Sequence, residues 1–170
     1  MKIMSTIGFT LFISIFFVVG FGILGYGIYS LHASKQAKNW PTAEGKITTC
    51  ELKESSDSDG TTYRAVVRYS YAVAGRSYEG NRVAFGYSGS SSRTAHQEIV
   101  DRLSSAKTVR VRYDPADVTR SVLSYGLNRS TIFLLVFGAT WLLSVTGFTV
   151  LWSVESLSDT GILSTLVTTE

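Results

Sequence analysis

Cysteine is nearly missing from this sequence, histidine is scarce, and charge is absent over two long stretches. A single cysteine, Cys50, excludes an internal disulfide and any zinc site built on cysteine pairs. The two histidines, His32 and His96, are far apart, which argues against a paired-histidine metal site. From Ser5 to Leu31 and again from Ser130 to Val154 no residue carries a formal charge. Ion paths and proton relays need ionisable groups inside the membrane, so these stretches do not make a transporter by themselves. The net charge of +3 comes from basic residues dispersed among acidic ones, and no nucleic-acid face is expected.

What is present in those stretches is length. A helix rises about 1.5 Å per residue, so either stretch crosses a hydrocarbon core of roughly 30 Å. The first could instead be a signal peptide, but its apolar run exceeds the usual h-region of about 7 to 15 residues. The segment Tyr29-Ser30-Leu31-His32-Ala33-Ser34 is also a poor cleavage site. The expected organisation is therefore a transmembrane helix over residues 5–31, a β-rich extramembrane domain over 40–126, a second transmembrane helix over 130–154 and a tail over 155–170. Small residues Gly20 and Gly27 in the first helix, and Thr140, Ser144 and Gly147 in the second, are candidates for close helix packing. In the tail, Ile162, Leu163, Leu166 and Val167 fit a short amphipathic helix after Asp159.

Between the spans the pattern changes to period two. The polar segment Lys35 to Asn39 leads to Trp40-Pro41, an interfacial aromatic and a helix stop. Ile47 to Leu52 alternates weakly as a first strand. After the turn formers Ser55 to Gly60 comes the strongest strand, with Tyr63, Ala65, Val67, Tyr69, Tyr71 and Val73 on one face. Ala74-Gly75 predicts a tight hairpin into a strand from Arg76 to Val83. A Gly/Ser-rich loop from Ala84 to Arg93 hands over to Thr94-Ala95-His96-Gln97, a capping-box pattern that predicts a short helix bearing His96 in its solvated first turn. Val109 to Tyr113 forms a further strand closed by Asp114-Pro115, and Val122-Leu123 a short last one. The fold class is thus membrane α-helical anchors plus a small α+β domain, mainly antiparallel β with one short helix.

Several of these residues recur together in a known family. Trp40, Gly45-Lys46-Ile47, Tyr69-Ser70-Tyr71, Gly75 to Gly80, Val109 to Pro115 and Ser121-Val122-Leu123 resemble the bacterial domain-of-unknown-function family numbered 3592, over roughly Trp40 to Gly126. Departures are the polar Gly86 to Arg93 loop and Lys107, where a glycine is expected. The resemblance implies a prokaryotic membrane protein. The family carries no assigned catalytic residues, so none transfer to this chain.

Tests for chemistry fail on spacing. With Gly60 as the sixth position of a calcium loop, the twelfth is Val66, where a glutamate is needed. Gly86-Tyr87-Ser88-Gly89 is one residue short of a nucleophile elbow, and no phosphate-loop sequence follows. Cys50 reads as an inert strand residue. A hydrolase, the weakest reading, would need Asp57, Asp59, Ser88, His96 and Arg93 brought into one cleft. The expected function is a non-catalytic binding or scaffold module without cofactor or metal. The alternative is a membrane immunity or envelope-stress factor that binds a toxin or an envelope protein. The partners expected are the lipid bilayer and either a protein or a second copy of the chain, with contacts at Phe85, Tyr87 and Arg93, residue types favoured at interfaces. Lys35, Lys38, Arg120 and Arg129 stand on the domain side, against Lys2 and the amino terminus at one end and Glu155 and Asp159 at the other. By the positive-inside rule they favour a β-domain in the cytoplasm with both termini outside a cell membrane. A Lys-bearing amino terminus before an apolar run, and the weak charge dependence of long translocated segments, argue for the reverse.

Overall fold

The computed structural model describes residues 2–166, with side chains over residues 7–155. It contains two compact units, Met1–Tyr26 with Leu134–Glu170, and Gly27–Phe133.

The first unit is a helix pair. α1 (Lys2–Ala37) and α3 (Arg129–Leu166) are both longer than the uncharged runs, because helix formers continue past them. Two portions, Ile7–Ala37 and Arg129–Glu155, are long and apolar enough to cross a membrane. The tail expected after residue 155 continues α3 as far as Leu166, and Val167 lies outside the described residues. Gly20 is where the helices meet: a Cβ there would come within 2.6 Å of Leu142 and 2.7 Å of Trp141. Gly138 in turn lies against the Leu24 backbone, at 3.1 Å for the same imagined atom. Trp141 donates its indole N–H to the Phe16 carbonyl at 3.0 Å, and Phe9 stacks on Trp152 at 3.9 Å. Gly138, Trp141, Leu142 and Val145 thus form the contact stripe at the i, i+3, i+4, i+7 spacing of one helix face. Thr140, Ser144 and Gly147 do not take part in this contact: all three are exposed, and nothing lies within 4 Å of a Cβ on Gly147. The Ser144 hydroxyl donates to its own helix at Thr140. Gly27, expected at the same contact, belongs to the second unit, where it is buried.

The second unit is built on a five-stranded antiparallel sheet in the order β3-β2-β1-β4-β5. β1 (Thr42–Asp57) and β2 (Gly60–Val73) form a long hairpin whose turn is only Ser58-Asp59, so the Ser55 to Gly60 turn cluster is mostly strand. β3 (Arg76–Gly80) follows through Ala74-Gly75, with φ of 50° and 77°. Two positive φ angles are what a type I′ hairpin turn requires, so that expectation holds even though alanine supplies the first. β3 stops at Gly80, short of Val83. Its last residue pairs with Tyr69, whose ring leaves no room for a side chain there: a Cβ at Gly80 would meet it at 2.3 Å. β4 (Val109–Tyr113) pairs with Thr42 to Gly45, and β5 (Ser121–Val122) closes the far edge.

α2 (Arg93–Ser104) packs on β1 and β2. The helix begins at Arg93 with Ser92 as its N-cap, so Thr94 is already helical and no capping box forms. Gln97 bonds Asp101 one turn on instead, at 2.8 Å.

Two cores result. Val67, Tyr69, Tyr71 and Val111 fill the space under α2, with Leu103 packed against them. Ala33, Ala37, Trp40, Phe85 and Val122 form the other. The last turns of α1 are therefore part of the domain rather than a tether to it. The Ser34 hydroxyl both donates to the Gly126 carbonyl and accepts from its N–H, each at 2.8 Å. Asn128 donates to the Phe85 carbonyl at 2.7 Å. Arg112 donates to the Lys38 and Trp40 carbonyls beyond the helix end, at 2.9 and 3.2 Å, where a cation is favoured.

Candidate functional site

Two polar clusters in the domain are candidates for function. The first surrounds His96. It is 5% exposed, a correction to its expected solvated position: starting α2 at Arg93 turns this residue towards the sheet. Its Nδ1 is 2.6 Å from the Tyr87 hydroxyl and its Nε2 is 2.8 Å from Ser90 Oγ. Tyr87 Oη also accepts the Ala65 N–H at 3.0 Å, and Ser90 Oγ accepts the Ser92 N–H at 3.4 Å. The cluster fixes the Gly/Ser loop. Tyr63 and Ser90 exchange backbone hydrogen bonds at 2.7 and 3.0 Å, so the loop pairs along the outer edge of β2.

The residues a hydrolase would need are not gathered here. Asp57 and Asp59 sit at the β1–β2 hairpin tip, bonded to Ser58. Ser88 pairs with Ser130, and Arg93 lies over the Tyr63 ring at 5.9 Å. Burial pushes the Cys50 thiol up from its ordinary value, partly opposed by Ser104. Among the described residues no group of three or more His, Cys, Asp or Glu could hold a metal ion.

Burial also lowers the His96 pKa below its ordinary 6.5. The unfolded chain therefore takes up a proton first as pH falls. Stability should be flat above about pH 6.5 and fall below it, by at most about 1.4 kcal/mol per pH unit, until the folded imidazole itself protonates. Denaturation series at several pH values check this. The slope should shrink in His96→Gln, and an unchanged slope would place its origin elsewhere.

The second cluster is a pocket of about 400 Å³ between the end of β3 and the β4–β5 connection. Arg68, Arg82 and Arg120 line it, with Asn81, Thr119 and Ser121. Beside it stands the core of Trp40, Phe85 and Val122. Phe85, 4% exposed, has the Arg82 guanidinium 4.9 Å and the Arg120 guanidinium 5.1 Å from its ring centre. Arg120 also lies 5.6 Å from the Trp40 ring, donates to the Tyr29 hydroxyl of α1 at 3.1 Å, and meets Asp114 at 3.4 Å. Two carboxylates line the same pocket, Glu79 and Asp117. Asp117 accepts from the hydroxyl and the N–H of Thr119 at 2.6 and 3.1 Å, which holds its carboxyl below the usual range. Buried Ser121 is bonded to Tyr69, whose phenol burial pushes up.

Of the three expected partner contacts, Phe85 is interior and Tyr87 half-buried with its hydroxyl engaged, because both anchor the loop; only Arg93 is exposed. Sequence reading missed Arg68 and Arg82 and saw Arg120 only as a topology charge. The available signal was a single arginine close to an aromatic, Arg82 beside Phe85; Arg68 and Arg120 join it through the fold alone.

No curated protein and no solved structure shows significant similarity to the chain. A domain of unknown function, DUF3592, matches residues 43–128, from the second residue of β1 to the residue before α3. With half of its length matched, the chain belongs to the DUF3592 family.

Proposed function

We propose that the chain is a two-span protein of a prokaryotic cell membrane whose β-domain is a non-catalytic binding module held against the membrane surface. The observation that carries this reading is the outward direction of the apolar side chains on both helices. Val18 is 72% exposed and Leu143 74%. A soluble helix pair would leave a large apolar surface in water, whereas lipid solvates it. The pairing of His96 with Tyr87 and Ser90 favours a structural over a catalytic use of its polar groups.

Membranes from cells expressing the full chain should retain it through an alkaline carbonate wash, and release by the wash would overturn the membrane reading. Cytoplasmic placement of the domain follows from Lys35, Lys38, Arg120 and Arg129 on its side. An alkaline phosphatase fused after Glu170 should accordingly be active and a fluorescent protein at the same place dark. The reverse pattern would put the domain on the other side.

A further inference from the structure

We propose that the pocket lined by Arg68, Arg82 and Arg120 binds a phosphate group, carried either by a membrane phospholipid headgroup or by a soluble phosphate ester. The proposal names a ligand class for the binding module and rests on that reading only for the lipid source.

Three guanidiniums and two carboxylates line the pocket, a third carboxylate, Asp114, meets Arg120 from outside the lining, and Asp117 already accepts two hydrogen bonds from Thr119. Arg82 and Arg120 both stand about 5 Å from the single Phe85 ring. The aromatic face attracts both cations, but of the three arginines only Arg120 has a carboxylate partner among the described residues, Asp114, while Arg68 and Arg82 form no ion pair there and are open to an incoming anion. The guanidinium fork matches a phosphate with two parallel hydrogen bonds, and Asn81 adds an amide donor at the rim. Arg120 is also fixed in advance: it is tied to Tyr29, Trp40 and Asp114, so it has little side-chain freedom to lose on binding.

Position selects the source. Tyr29 belongs to the apolar portion of α1 that ends at Ala37, and Trp40 follows it directly. Tyrosine and tryptophan at such an end mark the headgroup level of a bilayer, where basic pockets take up lipid phosphates. The Arg120 guanidinium, bonded to one ring and over the other, is held at that level. Arg82 and Arg68 are exposed and complete the site from the domain side.

The full-length protein in detergent, titrated with inorganic phosphate or glycerol 3-phosphate against chloride at equal ionic strength, gives the soluble arm. Native mass spectrometry of protein released from nanodiscs of phosphatidylcholine, with and without phosphatidylglycerol, gives the lipid arm. Retention of phosphatidylglycerol without phosphate binding assigns the headgroup, phosphate binding alone assigns a soluble ester, and both together support the phosphate moiety itself. In whichever arm responds, Arg82→Gln and Arg68→Gln should each weaken binding roughly fivefold. Arg82→Lys should keep more than Arg82→Gln does, and Arg102→Gln on the exposed face of α2 should change nothing. The exposed arginines are used so that folding is preserved, as circular dichroism will check. No response in either arm, or equal binding by Arg82→Gln and the unchanged protein, overturns the proposal. Should the carbonate wash release the protein, the membrane reading fails while the soluble arm still tests the pocket.

Discussion

Replacing Tyr69 with alanine should lower the stability of the domain by about 3–5 kcal/mol, the range for deleting a buried aromatic. The residue is 1% exposed and its ring covers Gly80, where even a Cβ would not fit. Its hydroxyl joins the Arg82 carbonyl at 3.2 Å and Ser121 Oγ at 3.1 Å. Truncation therefore removes packing under the sheet and also the polar link that holds β5 and the chain after β3 in place. Tyr69→Phe separates the two contributions. It keeps the ring but strips two buried oxygens of a partner, at a cost of about 1–3 kcal/mol. Denaturant titration in detergent, followed by near-ultraviolet circular dichroism, should rank the unchanged protein above Tyr69→Phe and that above Tyr69→Ala. A loss under about 1 kcal/mol for alanine would mean the core is not centred on this residue.

Gly86→Ala should be nearly as damaging, on the order of 2–5 kcal/mol. Gly86 has φ +68°, which costs a residue with a Cβ about 1–2 kcal/mol. The new methyl would lie 2.4 Å from Thr131 Oγ1 and 2.9 Å from Ser30 Cβ, and overpacking of that kind adds about 1–3 kcal/mol. Neither neighbour can retreat, since Ser30 and Thr131 are each 1% exposed. Gly60→Ala provides the comparison: φ is +128°, but nothing lies within 4 Å, so only the backbone contributes. Melting temperatures and amide exchange across the loop should show Gly86→Ala clearly worse than Gly60→Ala. Equal effects would remove the steric part of this account.

Local pattern explains what the sequence made legible. The alternation from Tyr63 to Val73 and the Ala74-Gly75 turn are decided within a few residues, and the structure keeps both. So are the two apolar runs, whose helices simply extend further. The errors arose where a distant neighbour decides. Thr94 and Gln97 have the spacing of a cap, yet α2 starts two residues earlier, capped at Ser92, and His96 is turned inward. Gly138 lies against the Leu24 backbone, but it does not stand out in a sequence where Thr140, Ser144 and Gly147 make the more regular small-residue face. The basic pocket was the least legible element. Arg68, Arg82 and Arg120 come from β2, the end of β3 and the β4–β5 connection, and no spacing along the chain relates them.

The pairing of Tyr63 with Ser90 also bears on the order of folding. The β1–β2–β3 meander is contiguous in sequence and can form from local contacts, but the strip that covers the β2 edge arrives later in the chain, followed by α2 and β4. Until then β2 presents an open edge of the kind on which nascent chains aggregate. β1 is open for longer, because β4 covers it only up to Gly45. Beyond that point it carries Lys46, Glu51, Lys53, Glu54 and Asp57, and charge of both signs along a bare strand discourages a stray partner. The half-made sheet thus has two guards: the loop acts after synthesis has passed it, and the charges act before.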